Sequence, residues 1–193
     1  MKFFASFCSQ KEDLPSPPKP RHDPPSTEVA PMVTQQSYRE AMARLGAAVN
    51  VITTDGPGGK RGFTASAVCS VTDSPPTLLV CLNRSSDSNE ALKTNRVACI
   101  NVLQAAQEHL SPVFAGMTEG DYAERFGRAE WSVLETGCAV LEGALVSLDC
   151  KITEVSEVGT HSVFICEVLA LKVAPSGQGL VYFGRRYHAL GHV

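Results

Sequence analysis

Two long strand-like segments, Ala144–Val155 and His161–Ala174, meet at Gly159 and do most to limit what this chain can fold into. Their length and their glycine break describe a broad antiparallel hairpin. Ala139–Glu142 is expected to pair with Ala144–Val155, and after the Ser176-Gly177 turn a last strand covers Gly179–Phe183. The first half supplies further strands at Ala47–Thr53, Gly62–Ala67, Thr77–Leu82 and Val97–Leu103. Asp55-Gly56-Pro57-Gly58-Gly59 and Ser74-Pro75-Pro76 separate them. Thr77–Leu82 is apolar on both faces, as a strand deep in a sheet or barrel must be.

The helical stretches between these strands are short. Thr34–Leu45 can be capped by Thr34 or Ser37, aligns Tyr38, Met42 and Leu45, and stops at Gly46. Ser88–Lys93 and Ala105–Ala115 follow, then Thr118–Arg128 with Tyr122 and Phe126 as anchors, and an edge segment at Trp131–Val133. A chain with many strands and few central helices is not a regular βαβ nucleotide fold. It also lacks GxGxxG after an early strand and any GxxxxGK[ST] loop. The pattern points to an all-β fold with peripheral helices, closed or partly closed into an antiparallel barrel that hides its edges.

Composition divides the chain. Most of its 12 prolines fall in residues 1–33, among serines and charges, so that stretch is expected to be a disordered or extended tail. Residues 34–193 are expected to form one domain. Met1–Cys8 is too short an apolar run for a signal-peptide core, and no run approaches a membrane span, which favours a cytoplasmic protein away from membranes. A net charge of -3 with interspersed signs argues against nucleic acid as a partner. The 7 cysteines are odd in number, form no CxxC pair and lie mostly in apolar runs, so they read as reduced core residues with no metal site.

The segment with functional content is Gly62–Asn89. Gly62-Phe63-Thr64-Ala65-Ser66-Ala67-Val68-Cys69-Ser70 is a run of small side chains against which a flat ring can lie. Beyond the buried strand, Asn83-Arg84-Ser85-Ser86-Asp87-Ser88-Asn89 gathers hydroxyls and amides at a helix start, where free N–H groups favour a phosphate. Together they suggest a nucleotide-like cofactor. The plainer alternatives are tight strand packing for the alanines and an ordinary turn with a helix cap for the polar cluster.

With these residues the chain resembles the short-chain flavin reductases, the reductase components of two-component flavin monooxygenases. Matching segments are Gly46–Thr54, Gly62–Pro76, Leu78–Asn83, Cys99–Leu103, Phe114-Ala115-Gly116, Gly159-Thr160-His161 and Leu180–Phe183 with Arg185–His188. The likeness covers about residues 36–190 and is nearest to the FMN reductase branch of pyrimidine utilisation, then to the 4-hydroxyphenylacetate 3-monooxygenase reductases. The resemblance implies a homodimeric split β-barrel with a Greek-key core. It implies FMN, with FAD as the alternative, reduced by NADH or NADPH, and diffusible reduced flavin passed to a separate flavin-dependent monooxygenase. In its terms Thr64, Ala65, Ser66, Ala67, Val68, Cys69 and Ser70 line the flavin ring, and Asn83, Arg84, Ser85 and Ser88 meet the ribityl chain and phosphate. Asn101, Phe114 and Arg185 belong near the same pocket, and His161 on the nicotinamide side.

No catalytic side chain is expected, because hydride transfer between two cofactors needs stacking and local electrostatics rather than a protein nucleophile. Asn101 has a bland reading as a buried backbone brace, Phe114 as a core anchor, and Arg185 and His161 as surface groups. Two other functions compete: a flavin carrier or sensor without turnover, and an interaction module recruited through the tail.

Overall fold

The computed structural model describes residues 33–192. The proline-rich segment expected to be disordered lies, but for Val33, outside the described residues. The chain opens with α1 (Gln35–Met42), capped by the Thr34 side chain, which accepts the Ser37 N–H at 3.0 Å. Then come β1 (Ala47–Ala48), β2 (Asn50–Thr54), β3 (Arg61–Ala65), β4 (Val68–Asp73) and β5 (Pro76–Asn83). Helix α2 (Asp87–Asn95) ends at Arg96 in the left-handed region and leads into β6 (Val97–Val102). A 3₁₀ turn at Ala105–Gln107 precedes α3 (Leu110–Phe114), α4 (Tyr122–Phe126), β7 (Trp131–Val133) and β8 (Ala139–Leu141). The chain closes with β9 (Val146–Val158), β10 (His161–Val173), β11 (Gln178–Phe183) and β12 (Arg186–His192).

Seven strands form one antiparallel sheet in the order β3-β2-β6-β9-β10-β5-β4. Ile52, Phe63, Val80, Ile100, Ile152 and Phe164, from six of these strands, converge on one core. A flat sheet cannot bring them together, so it curls into a barrel. Its two outer strands, β3 and β4, are consecutive in the chain and joined only by Ser66-Ala67. The barrel is therefore split along a seam at that link. A second core forms outside the barrel, where Val49 and Val51 meet Leu110, Phe114, Phe126, Leu141 and Leu180. Strand β2 is buried along its length because it separates the two cores.

Four elements differ from the sequence expectation. Strand β8 pairs with β7 rather than with β9, whose neighbours are β10 and β6. The Gly62–Ala67 strand ends at Ala65, and a separate strand, β4, begins at Val68. The Ala105–Ala115 helix is broken in two: Gln104 and Gln107 form a reciprocal cap, and Pro112 has no N–H for the carbonyl of Glu108. Strand β12 was not expected at all. Its hairpin turns on Gly184 (φ 57°) and Arg185 (φ 62°), two consecutive left-handed residues, and a Gly-Arg pair does not advertise such a turn as Asn-Gly does.

Candidate functional site

The seam opens into a cavity of about 610 Å³, within the range of roughly 300–1,000 Å³ common for cofactor pockets. Gly62, Thr64, Ala65, Ser66 and Ala67 form its floor. The end of β5 and the start of α2, through Asn83, Ser85, Ser86, Asp87 and Ser88, form one rim. Phe114–Gly116, Tyr122 and Arg125 form another wall, and Met42 from α1, Leu45 just after it, Ala47 from β1 and Tyr182 from β11 complete the lining. His161 stands beside the rim.

Backbone dominates the floor. Ser66 and Ala67 lie between strands; the Ser66 carbonyl accepts the Val68 N–H and the Ala67 carbonyl accepts the Cys81 N–H, each at 3.0 Å. Gly62 has no room for a side chain, since a Cβ there would lie 2.8 Å from the Phe114 ring. The Thr64 hydroxyl donates to the Ser111 carbonyl at 2.7 Å, tying β3 to α3. Phe114 is a core anchor whose edge reaches the cavity, packed edge-on against Phe126 and Trp131 at 5.3 and 5.7 Å.

The rim is a capped helix start. The Asn83 side chain accepts the Ser85 N–H at 2.9 Å, and the Ser86 hydroxyl accepts the Ser88 N–H. Those two residues satisfy the turn-and-cap explanation. Ser85 and Ser88 remain, Ser88 with its hydroxyl 3.3 Å from that of Tyr122. Asp87, the first helical residue, faces the cavity, where its carboxylate suits the positive end of α2. Behind the rim, fully buried Asn89 donates to the carbonyls of Leu82 and Asn83 and to the Ser162 hydroxyl.

Of the residues singled out in the sequence, Thr64, Ala65, Ser66, Ala67, Asn83, Ser85, Ser88, Phe114 and His161 line this cavity. The others do not. Val68, Cys69 and Ser70 run along β4 away from it, because the strand leaves the seam to pair with β5. Arg84 turns outward to Glu157 at 3.0 Å and to the Gly159 carbonyl at 3.4 Å. Asn101 is fully buried and spent on the scaffold: it donates to the Val51 carbonyl and accepts from the Leu141 N–H and the Ser147 hydroxyl. Arg185 occupies the exposed β11–β12 turn.

Tyr122, Arg125, Cys81, Met42 and Tyr182 reach the cavity without having been named as site residues, and so does Asp87, the one acid within the polar cluster. The Tyr122–Phe126 spacing marked a helix, but nothing local tells which side of it meets a cavity. Burial pushes the Cys81 thiol up from its ordinary value, so it stays protonated beside the floor. Burial also lowers the His161 imidazole, whose Nδ1 is 2.8 Å from the Thr160 hydroxyl, which favours the neutral ring at pH 7.

Residues 42–191 match the Flavin reductase like domain family. The chain belongs to that family. Among curated relatives it is 57% identical to the FMN reductase (NADH) RutF 2 of Rhizobium rhizogenes, over 83% of this chain and 92% of the relative. Among solved structures it is similar to the NADH:FAD oxidoreductase SgcE6 of Streptomyces globisporus C-1027, at TM-score 0.76 and 27% identity, over 86% of this chain and 99% of that one. It is likewise similar to BorF, the flavin reductase component of a bacterial two-component tryptophan halogenase, at TM-score 0.75 and 26% identity, over 81% and 98%. The family supports the split-barrel architecture seen in the sheet order.

Proposed function

We propose that this chain is an NAD(P)H:flavin oxidoreductase that reduces FMN or FAD and releases it to a partner monooxygenase. The observation that carries this reading is the seam cavity, with a backbone floor for a flat ring and a hydroxyl rim at a helix start. FMN fits the two halves together. Ala65, Ser66 and Ala67 leave space for an isoalloxazine ring, while Ser85, Ser88 and the N-terminus of α2 offer donors to a phosphate.

When bound, the flavin supplies the electron chemistry by accepting a hydride at N5 from the nicotinamide C4. The chain positions and insulates. Small side chains at Ala65 and Ala67 would leave room for two flat rings to stack over the floor. Phe114 and Tyr122 exclude water from one side. Neutral His161 at the rim offers a hydrogen bond to the dinucleotide, with no proton to deliver in the hydride step.

Homodimerisation belongs to this proposal. Leu171 and Val173 share one face of β10, Leu169 precedes them at a β-bulge, and the three are 46–61% exposed, an apolar stripe that a second copy would cover. Cytoplasmic location is proposed as well; among the described residues no helix is long and apolar enough to cross a membrane.

The test is oxidation of NADH or NADPH under air with FMN, FAD or riboflavin added. Nicotinamide oxidation that depends on added flavin, and bleaching of the flavin without oxygen, are expected. A protein that binds flavin but never oxidises either nicotinamide would be a carrier and would overturn the reductase reading.

A further inference from the structure

Arg125 stands out in the cavity wall because its charge has no counterpart. Its Nε is buried and meets no acceptor among the described residues. Nor does its guanidinium form an ion pair among them; instead it stacks over the Tyr122 ring at 5.0 Å. The neighbouring cations are engaged: Arg61, over the same ring at 4.8 Å, donates to the Lys60 carbonyl, and Arg84 is held by Glu157. A partly buried guanidinium without an acceptor is costly unless a ligand supplies one.

Position indicates the ligand. Tyr122 and Arg125 are three residues apart on α4 and so share a face. The Tyr122 hydroxyl is 3.3 Å from the Ser88 hydroxyl at the start of α2. One ring therefore joins the unpaired guanidinium to the helix start that offers N–H groups, and both line the same cavity. Asp87 lines it too, yet forms no ion pair with Arg125.

We infer that Arg125 is the cationic anchor for the flavin phosphate, closing over it from α4 while Ser85, Ser88 and the α2 N–H groups hold it from the other side. A phosphate monoester carries close to two negative charges at neutral pH and presents the paired oxygens a guanidinium fork requires. The anchor gives the site selectivity for phosphorylated flavin over riboflavin and compensates for the repulsion from Asp87. This inference rests on the flavin reductase reading.

The test is fluorescence titration of the wild type, Arg125→Gln and Arg125→Lys with FMN and with riboflavin. Arg125→Gln should weaken FMN binding about ten- to hundredfold, the loss of one charged hydrogen-bond pair, and leave riboflavin affinity within about twofold. Arg125→Lys should keep more FMN affinity than Arg125→Gln because it retains the charge. Unbroken riboflavin binding also certifies that each variant is folded. Equal losses for both flavins, or no loss for either, would overturn the assignment while leaving the reductase reading intact. A wild type that binds neither flavin would instead overturn that reading, and this inference with it.

Discussion

Asn101 shows how a polar residue in an apolar run can answer a structural need rather than a chemical one. Its amide joins β2, β6, β8 and β9 at one point, through the Val51 carbonyl, the Leu141 N–H and the Ser147 hydroxyl. Asn101→Ala would orphan these groups inside the protein at about 1–3 kcal/mol each. A clear fall in the urea midpoint is expected, with reductase activity per folded molecule retained. Ala67 is the converse. It is exposed on the cavity floor, and its backbone rather than its side chain is tied to β5. Ala67→Phe should leave the unfolding midpoint unchanged and reduce turnover with FMN by about tenfold or more, by displacing one ring from the other. A fully active Ala67→Phe variant would place the ring elsewhere in the cavity.

Among the elements, the β5–α2 rim depends on its anchorage to the β9–β10 hairpin. Glu157 receives Arg84 at 3.0 Å and Lys93 at 2.9 Å and accepts from the Ser162 hydroxyl. The hydrogen bond from Lys93, helped by Ser162, lowers the Glu157 carboxyl below its ordinary value of 4.5. A folded value below the unfolded one means the contribution is present above that range and is lost as the pH falls through it. The pairs are exposed, so the effect is small. Glu157→Gln should unfold at slightly lower urea than the wild type at neutral pH, and the gap should close below about pH 4.5. A gap of constant size at all pH values would assign the effect to packing.

The same elements show what the sequence could reveal. Long strands bounded by glycine turns, such as β9 and β10, were legible because their apolar and β-branched residues end at Gly159 and at Ser176-Gly177. The floor and rim were legible because small residues and helix-start hydroxyls are unusual in combination. Strand β12 was hidden by its Gly184-Arg185 turn, and β8 by a three-residue length that leaves its partner open. Arg84 and Arg185 drew attention by charge, yet their directions are set by Glu157 and by a turn, neither of which a local pattern displays. Arg125 was missed for the same reason in reverse: an ordinary AERF segment acquires meaning only when α4 folds across from α2.

For the whole molecule, the proposed dimer would tie assembly to the barrel through the outward stripe of β10. Leu171 is 58% exposed between Leu169 and Val173 on a strand whose other end carries His161 into the cavity rim. A dimer mass is expected in sedimentation equilibrium, and Leu171→Glu should convert it to monomer by placing a charge in the buried patch. A monomeric wild type with full activity would remove the dimer from the proposed function.

The link at Ser66-Ala67 has one more consequence. The outermost strands of the sheet diverge from this two-residue joint, so the cavity lies where the cylinder has no hydrogen-bonded wall of its own. A flavin held there would serve as the missing stave, bridging a gap that the polypeptide leaves open. Shutting that gap with peptide would make a sturdier barrel with nowhere to do its work. In this architecture, incompleteness of the scaffold would be the condition for exchanging a cofactor, and each departure of reduced flavin would restore the opening for the next oxidised molecule.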